Sequence, residues 1–223
     1  MRPLVAVFAH PDDEAFGPAG TLALMAKERD VYLVCVTNGD AGDNNSDKTD
    51  DIDKIRREEL QASAKALGVK DVIFLGFHDG TLSNSIYHEI AAKLKEVFER
   101  LQPEIVLTLE PRGVSGHIDH ITVSLVTSYV FQHVDFISEL WYFCLTQEER
   151  RINAEKLGDY FIYLPPGYKK EDISKTIDVS PVWEQKVEAA IKHESQKPDV
   201  DAHLESYKIL PHEENFIILK KDN

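Results

Sequence analysis

One histidine and three carboxylates are concentrated in a short segment near the start of the chain, Ala9–Glu14, which reads AHPDDE. His10 offers an imidazole nitrogen and Asp13 a carboxylate oxygen, and a catalytic zinc site takes three protein ligands of these types. Asp12 lies between these two candidate ligands. Because neighbouring residues of a sharp turn point in different directions, we expect one aspartate to bind metal and the other to accept a proton. The alternative is that the acids only favour the start of the next helix.

A second cluster with the same chemistry, Gly116–His120, reads GHIDH. His117 and His120 are three residues apart and share a face at a helix start. Together with the first cluster they make a three-ligand metal site that keeps an open position, which is the pattern of catalytic zinc. Asp119 stands between the histidines, and we expect its carboxylate to bond to a ring nitrogen and fix its tautomer.

Each cluster follows an apolar run typical of a buried strand, Leu4–Phe8 for the first and Ile105–Leu109 for the second. Strands alternate with helices, which predicts an α/β fold: a Rossmann-like, doubly wound, mostly parallel sheet with helices on both faces. The common strand order 3-2-1-4-5 places strands one and four side by side at the point where the order reverses. Both clusters should therefore meet at one crevice. A dinucleotide site is not expected there, since the first turn lacks G-x-G-x-x-G.

The remaining pattern predicts one domain over residues 1–223, with a core of about 1–145 and an α+β extension of about 146–223. Further strands are predicted at Val31–Thr37, Val72–Leu75, Leu140–Leu145, 161–164, Thr176–Val179 and Phe216–Leu219. Further helices are predicted at Ala15–Arg29, Asp53–Leu67, Ser85–Leu101, from the second cluster to about Gln132, and at Val182–His193. The polar segment Asp43–Asp53 is interpreted as a mobile surface loop that can lie over the pocket.

Two arginines stand at the start of a predicted helix, where a positive charge opposes the helix dipole. This misfit suggests a functional role for Arg56 or Arg57. A surface salt bridge is the alternative, and we favour it for Arg57. Near the end of the chain, His193 is interpreted as a structural residue and Trp183 as part of the core.

The composition of the chain limits the classes of partner that it can bind. The chain has 223 residues and a formal net charge of −14, which argues against a nucleic-acid partner and against anionic membrane surfaces. No run approaches the length of a membrane span, and no secretory signal is recognisable. Cys35 and Cys144 lie in apolar runs outside any metal-ligand spacing and are predicted to be free thiols. We therefore expect a cytoplasmic protein.

The chain resembles the PIG-L/LmbE-like superfamily of zinc-dependent N-acetylglucosaminyl deacetylases. The resemblance runs in order over most of the chain, and its first motif and its H-x-D-H motif are the specific ones. The matching segments are Ala9–Glu14, Thr37–Gly42, Arg56–Leu60, Leu75–Gly80, His117–His120 and Lys186–Gln196. Ile118 departs from the pattern, because the family often has proline there.

The resemblance implies specific roles for residues of this chain. His10, Asp13 and His120 would bind zinc, or Fe²⁺, since a site of two histidines and one aspartate accepts both. Asp12 would be the general base, and a protonated His117 would stabilise the oxyanion or protonate the departing amine. Two further residues, Arg56 and Asp79, match positions that contact the sugar.

The implied function is removal of the N-acetyl group from a small amino sugar or its glycoside. A homo-oligomer, often a hexamer among bacterial relatives, is also implied. Two alternatives come from other classes. A metal-dependent phosphoesterase would need a second metal cluster or basic phosphate clamps, of which the chain offers few. A non-catalytic metal- or sugar-binding module would have no use for Asp12 and His117 as acid and base.

Overall fold

The strands form one sheet whose order follows the predicted winding. The computed structural model describes residues 1–157 and 164–221. The strands are β1 (Leu4–Phe8), β2 (Val31–Thr37), β3 (Asp71–Phe77), β4 (Ile105–Leu109), β5 (Glu139–Cys144), β6 (Lys175–Asp178) and β7 (Glu213–Lys220). They lie in the order β3-β2-β1-β4-β5-β7-β6. The first five strands pair in parallel, whereas β7 runs antiparallel to both β5 and β6. The predicted order 3-2-1-4-5 is confirmed.

Helices cover both faces of the sheet. They are α1 (Asp13–Phe16), α2 (Ala19–Ala26), α3 (Ile52–Ala66), α4 (Tyr87–Leu101), α5 (Ile118–Gln132), α6 (Gln147–Leu157), α7 (Trp183–Ile191) and α8 (Lys197–Tyr207), with 3₁₀ turns at Lys170–Asp172, Ser180–Val182 and Glu194–Gln196. Alternate residues of β1 enter different cores: Leu4 packs with α2, α3 and α7, and Val5 packs with α4 and α5. Burial on both faces explains why the strand is an unbroken apolar run. No helix in the described ranges is long and apolar enough to span a membrane.

The predicted helix at Ala15–Arg29 is wrong as one element, because the structure has α1 and α2 with a break at Gly17 and Pro18. Proline has no N–H to donate and disfavours a helical residue before it, which explains the break. Helices α6 and α8 were not predicted. Their apolar residues do not form the regular stripe of α4. The strand predicted at 161–164 falls mainly on residues 158–163, outside the described residues, and Leu164 is not in a strand.

A buried ion pair attaches the end of the chain to its beginning. Glu214 of β7 accepts hydrogen bonds from the backbone N–H groups of Gly20 (2.9 Å) and Thr21 (2.7 Å) at the start of α2. Its charge is balanced by Lys186 of α7, whose Nζ lies 2.7 Å away. Gly20 has to be glycine, because a Cβ there would lie 2.5 Å from the Cβ of Val179.

We expect Glu214→Gln to lower the free energy of unfolding by about 3–5 kcal/mol, since it leaves the Lys186 ammonium buried without a countercharge. Urea denaturation followed by circular dichroism measures the change. Asp201→Asn is the matched control, because Asp201 pairs with Lys197 on the exposed face of α8, and an exposed pair contributes less than about 1 kcal/mol. Equal losses in the two variants would contradict this account.

Candidate active site

The turn after β1 holds Asp12 in a conformation that side chains rarely adopt. Its φ of 133° lies in the region that favours glycine, and such positions cost about 1–3 kcal/mol unless their surroundings compensate. The compensation comes from Glu14, whose carboxylate accepts the backbone N–H of Asp12 at 3.1 Å. The neighbouring Asp13 turns the other way and accepts the N–H groups of Ala9 and His10, each at 3.0 Å. The two aspartates therefore point in different directions, as predicted.

Three ligand atoms from the two sequence clusters converge beside this turn. His10 Nδ1 lies 3.0 Å from His120 Nε2, and His120 Nε2 lies 3.1 Å from Asp13 Oδ1. The other carboxylate oxygen of Asp13 is 4.0 Å from His10 Nδ1. Ligands on a tetrahedral zinc with bonds of 2.0–2.1 Å stand about 3.3 Å apart. The spacing and the donor types therefore fit a divalent metal.

The opposite nitrogens of both rings have partners of their own. His10 Nε2 faces Asp79 Oδ1 at 2.9 Å and Asp119 Oδ2 at 3.3 Å, so Asp119 lies where it was expected. Nδ1 of His120 lies 3.0 Å from the carbonyl oxygen of Gly113 and 3.1 Å from Ser115 Oγ. Carboxylates and carbonyls in such positions fix the tautomer of a metal-binding histidine. Sequence reasoning missed Gly113 and Ser115, which no motif marks.

Arg56 is buried and is held by groups of the protein. Its guanidinium donates to Asp12 Oδ2 (2.9 Å), to the carbonyl oxygens of Pro11 (2.9 Å) and Gly39 (3.1 Å), and lies 3.4 Å from Asp79 Oδ2. Arg56, which opposes the helix dipole, therefore lies at the site and balances the charges of two aspartates. Arg57 makes no ion pair with a described residue. Its guanidinium lies 4.4 Å from the centre of the Phe74 ring, so the salt bridge favoured for it is wrong.

His117 caps the start of α5 through its ring. Its Nδ1 accepts the backbone N–H of Asp119 at 3.1 Å, which leaves the proton of a neutral ring on Nε2. Burial, together with the charges of His10 and His120, lowers the pKa of His117 below its usual value. This lowered pKa disfavours the protonated form that was expected of His117. Nitrogens of His10, His117 and His120 also lie within 4.8 Å of one another, so His117 is an alternative third ligand.

The pKa values of the carboxylates in the turn diverge. Burial raises the pKa of Asp12 to about 6, although the charge of Arg56 acts against it. Burial acts on Asp13 as well, but the charges of His120 and His10 outweigh it and hold its pKa well below the usual range. Burial also disfavours a charged His10 ring, yet the hydrogen bonds that the ring donates to Asp119 and Asp79 and the charge of Asp13 raise its pKa to about 10. A metal bound there must displace a proton.

Glu14 supports the turn that carries Asp12, a role that sequence reasoning missed. One of its carboxylate oxygens holds the Asp12 backbone, and the other accepts Ser63 Oγ at 2.5 Å and the His193 ring at 2.8 Å. His193 is fully buried and donates through Nε2, as expected of a structural histidine. Through Glu14, helix α3 and the turn after α7 therefore fix the position of Asp12.

The acidic loop is attached to the body of the protein. Asn45 N–H donates to the carbonyl oxygen of Ser195 (2.9 Å), and the Gln196 side chain donates to the carbonyl oxygen of Asp43 (2.8 Å). Lys48 pairs with the buried Glu59 at 3.0 Å. These contacts argue against the mobile loop predicted at Asp43–Asp53.

All the predicted catalytic and ligand side chains line one cavity of about 290 Å³. The expected residues that line it are His10, Asp12, Asp13, Arg56, Asp79, His117 and His120. The far wall comes from α6 and α8, which sequence reasoning missed. An apolar side chamber of about 150 Å³ adjoins Asp13 and His120 and includes Phe16, Leu109 and Phe143.

The fold and the site define an α/β protein with a candidate divalent-metal centre at the switch point of a doubly wound sheet. Residues 5–131 match the model of the PIG-L family, described as GlcNAc-PI de-N-acetylase. The chain belongs to this family.

Curated relatives carry related names. A 1D-myo-inositol 2-acetamido-2-deoxy-alpha-D-glucopyranoside deacetylase of Actinosynnema mirum is 30% identical over 226 residues, covering 86% of this chain and 80% of the relative. A probable N-acetyl-alpha-D-glucosaminyl L-malate deacetylase 2 of Bacillus cereus is 35% identical over 125 residues. That alignment covers 53% of this chain and 56% of the relative, so the chain matches just over half of it.

Solved structures share the fold. The N,N'-diacetylchitobiose deacetylase of Pyrococcus horikoshii has a TM-score of 0.67 at 23% identity, covering 98% of this chain and 84% of that one. The 4-carboxy-2-hydroxymuconate hydratase GalB of Pseudomonas putida KT2440 has a TM-score of 0.74 at 16% identity, covering 100% and 98%. The same fold therefore occurs in proteins with different reactions, and function has to be argued from the site.

We expect Arg56→Gln to destabilise the protein by about 3–5 kcal/mol, because Asp12 and Asp79 lose their buried countercharge. Arg57→Gln is the matched control from the same helix turn. It loses only a cation–π contact, worth about 1 kcal/mol. Urea denaturation at neutral pH compares the two variants, and a smaller loss for Arg56→Gln than for Arg57→Gln would refute the role of Arg56.

Proposed function

We propose that the protein is a hydrolase that removes the acetyl group from the nitrogen of an N-acetylglucosamine-type sugar or glycoside. The observation that carries the proposal is the convergence of His10, Asp13 and His120 in one cavity, with the carboxylate of Asp12 beside them. The names of the family and of the relatives support the same reaction.

We assign His10, Asp13 and His120 as the residues that hold a divalent metal, zinc first and Fe²⁺ as the alternative. A bound metal of this kind polarises a carbonyl group and lowers the pKa of water toward neutrality. The partners of the histidines support the assignment, because Asp79 and Asp119 orient His10, and Gly113 orients His120.

Asp12 is proposed as the general base. Its carboxylate lines the cavity next to the ligand Asp13, and Arg56 holds one of its oxygens at 2.9 Å. Asp12 takes the proton of the attacking water as the new C–O bond forms. It then returns this proton to the nitrogen of the sugar as the C–N bond breaks, so that acetate and a free amine leave.

His117 is proposed to donate from Nε2 to the oxygen of the acetyl carbonyl, where negative charge develops. The Asp119 backbone supports this role, since it occupies Nδ1 and leaves Nε2 as the donor of a neutral ring. Arg56 and Asp79 line the cavity and are proposed to contact sugar hydroxyls in addition to holding Asp12 and His10.

The other two classes have less support. A two-metal phosphoesterase needs an independent second centre, but in the described ranges both groups of candidate ligands include His10. A non-catalytic binding module gives no reason for holding Asp12 in a strained conformation that other groups have to support. We propose a cytoplasmic enzyme, in line with the free thiols of Cys35 and Cys144, without a nucleic-acid or membrane partner. The homo-oligomer stays a prediction.

Acetate release tests the reaction class. N-acetylglucosamine, diacetylchitobiose and methyl N-acetyl-α-glucosaminide are incubated with zinc-loaded protein, with chelated protein as the control. Metal-dependent acetate in equal amount to free amine supports the proposal. Stoichiometric metal with no acetate from any of these sugars would count against it.

Asp12→Asn should lower kcat by about 10²–10⁴-fold, the contribution of a positioned general base, and leave zinc affinity within about threefold. The measurements are the rate of acetate release and zinc titration by calorimetry. Asp135→Asn, an exposed aspartate outside the cavity, is the matched control. A variant at position 12 with a near-normal rate would remove Asp12 from its role.

Asp13→Asn and His120→Asn should each lower zinc affinity by more than about 100-fold, beyond the usual loss when only a supporting partner is removed. His117→Asn should lower it by less than about 10-fold. Competition with a fluorescent chelator measures the affinities. His133→Asn, at the opposite end of α5, is the control. If His117→Asn lost as much as His120→Asn while Asp13→Asn bound normally, His117 would be the third ligand.

A further inference from the structure

Two polar side chains of α6 face the cavity without a partner in the described part of the protein. Arg150 and Asn153 are one helical turn apart, and both line the main cavity and the apolar side chamber. The Nε atom of Arg150 and the Oδ1 atom of Asn153 are buried, and neither has a hydrogen-bond partner. Leaving such groups unpaired costs about 1–3 kcal/mol each. The cavity wall therefore presents one unpaired donor, Arg150 Nε, and one unpaired acceptor, Asn153 Oδ1, to a ligand.

Arg150 differs from the arginines around it in having no countercharge among residues 1–157 and 164–221. Arg56 is balanced by Asp12 and Asp79, and Arg112, which lies beside Arg150, by Glu110 at 3.1 Å. No carboxylate of a described residue lies within 4.0 Å of the Arg150 guanidinium.

The next residue along α6 faces the other way. Arg151 points to solvent and pairs with Glu148 (2.8 Å) and Glu155 (2.6 Å). Arg151 is therefore balanced by acids of its own helix, whereas the charge of the adjacent Arg150 is directed into the cavity.

His203 and Asp199, the titratable residues on the same wall, do not pair with the charge of Arg150. Burial lowers the pKa of His203 to about 3, with the charge of Lys186 adding to the effect, so this ring on the same wall is neutral. Asp199 of α8 is half-buried and also lines the cavity, but it makes no ion pair with Arg150.

We propose that Arg150 forms a subsite for an anionic oxygen group, a carboxylate or a phosphate, carried by the substrate beyond its acetamido sugar. The planar guanidinium binds either group through two parallel hydrogen bonds, and the unpaired Asn153 Oδ1 accepts a hydrogen bond from a hydroxyl of the same substrate. The inference rests on the proposed deacetylase function and narrows it: the substrate is an anionic derivative of N-acetylglucosamine rather than the neutral sugar.

The test compares substrates that differ only in charge. The phosphate arm uses N-acetyl-α-glucosamine 1-phosphate and N-acetylglucosamine 6-phosphate, the carboxylate arm uses carboxymethyl N-acetyl-α-glucosaminide, and methyl N-acetyl-α-glucosaminide is the neutral reference. Each is assayed for kcat/KM with the zinc-loaded wild type, Arg150→Gln and Arg151→Gln. The arm with the higher kcat/KM identifies which anion the subsite takes.

Arg150→Gln should lower kcat/KM for the preferred anionic substrate by about 10- to 100-fold, as expected for loss of a charged hydrogen-bond pair. For the neutral reference the change should stay within about twofold, and Arg151→Gln should leave every substrate within twofold. The thermal midpoint of Arg150→Gln should stay within about 2 °C of the wild type, since the Arg150 side chain makes no hydrogen bond or ion pair with a described residue. Equal loss on charged and neutral substrates, or no loss on either, would overturn the proposal.

A binding measurement separates this inference from the proposed reaction. Calorimetry with glucosamine 1-phosphate, carboxymethyl α-glucosaminide and methyl α-glucosaminide needs no turnover. Tighter binding of an anionic ligand that is lost in Arg150→Gln and kept in Arg151→Gln supports the subsite even if the wild type releases no acetate. Equal affinity of the wild type for all three ligands overturns the subsite even if acetate is released.

Discussion

Three consecutive buried carboxylates, Asp12, Asp13 and Glu14, impose the constraint on which the rest of the structure depends. Carboxylates this close repel one another, and burial removes the water that would screen them. Each one therefore needs its own compensation. Asp12 has Arg56 from α3, Asp13 has the two histidines and two backbone N–H groups, and Glu14 has Ser63 and His193.

These compensating groups come from separate elements, and their packing creates the cavity. Helix α3 is held against the turn by Arg56, and the loop before it leaves room for the guanidinium: a Cβ on Gly42 would lie 2.6 Å from Arg56 Nη1. Helix α5 brings His120 to Asp13, and the turn after α7 brings His193 to Glu14. An acidic turn that would be costly alone thus becomes the point where the layers meet.

The parts predictable from sequence are those specified by local pattern. Buried parallel strands are unbroken apolar runs, so the order of the first five strands and the meeting of His10 with His120 followed from topology. The contacts that support the site were harder to predict from the sequence. Asp79 was expected to contact the sugar, but it also faces His10. Nothing in the sequence distinguishes Glu14 from an acid that only caps a helix. Both depend on contacts between residues far apart in the chain, which periodicity does not encode.

The hydrogen bond between Glu14 and His193 joins residues 179 positions apart. The first turn leaves the ribosome long before His193 is synthesised. Contacts between residues so far apart in sequence form slowly, because the intervening chain loses much conformational entropy. During synthesis Glu14 therefore lacks its His193 partner until the chain is almost complete. A chain cut short before His193 keeps only Ser63 on this oxygen of Glu14, which makes burial of the carboxylate less favourable.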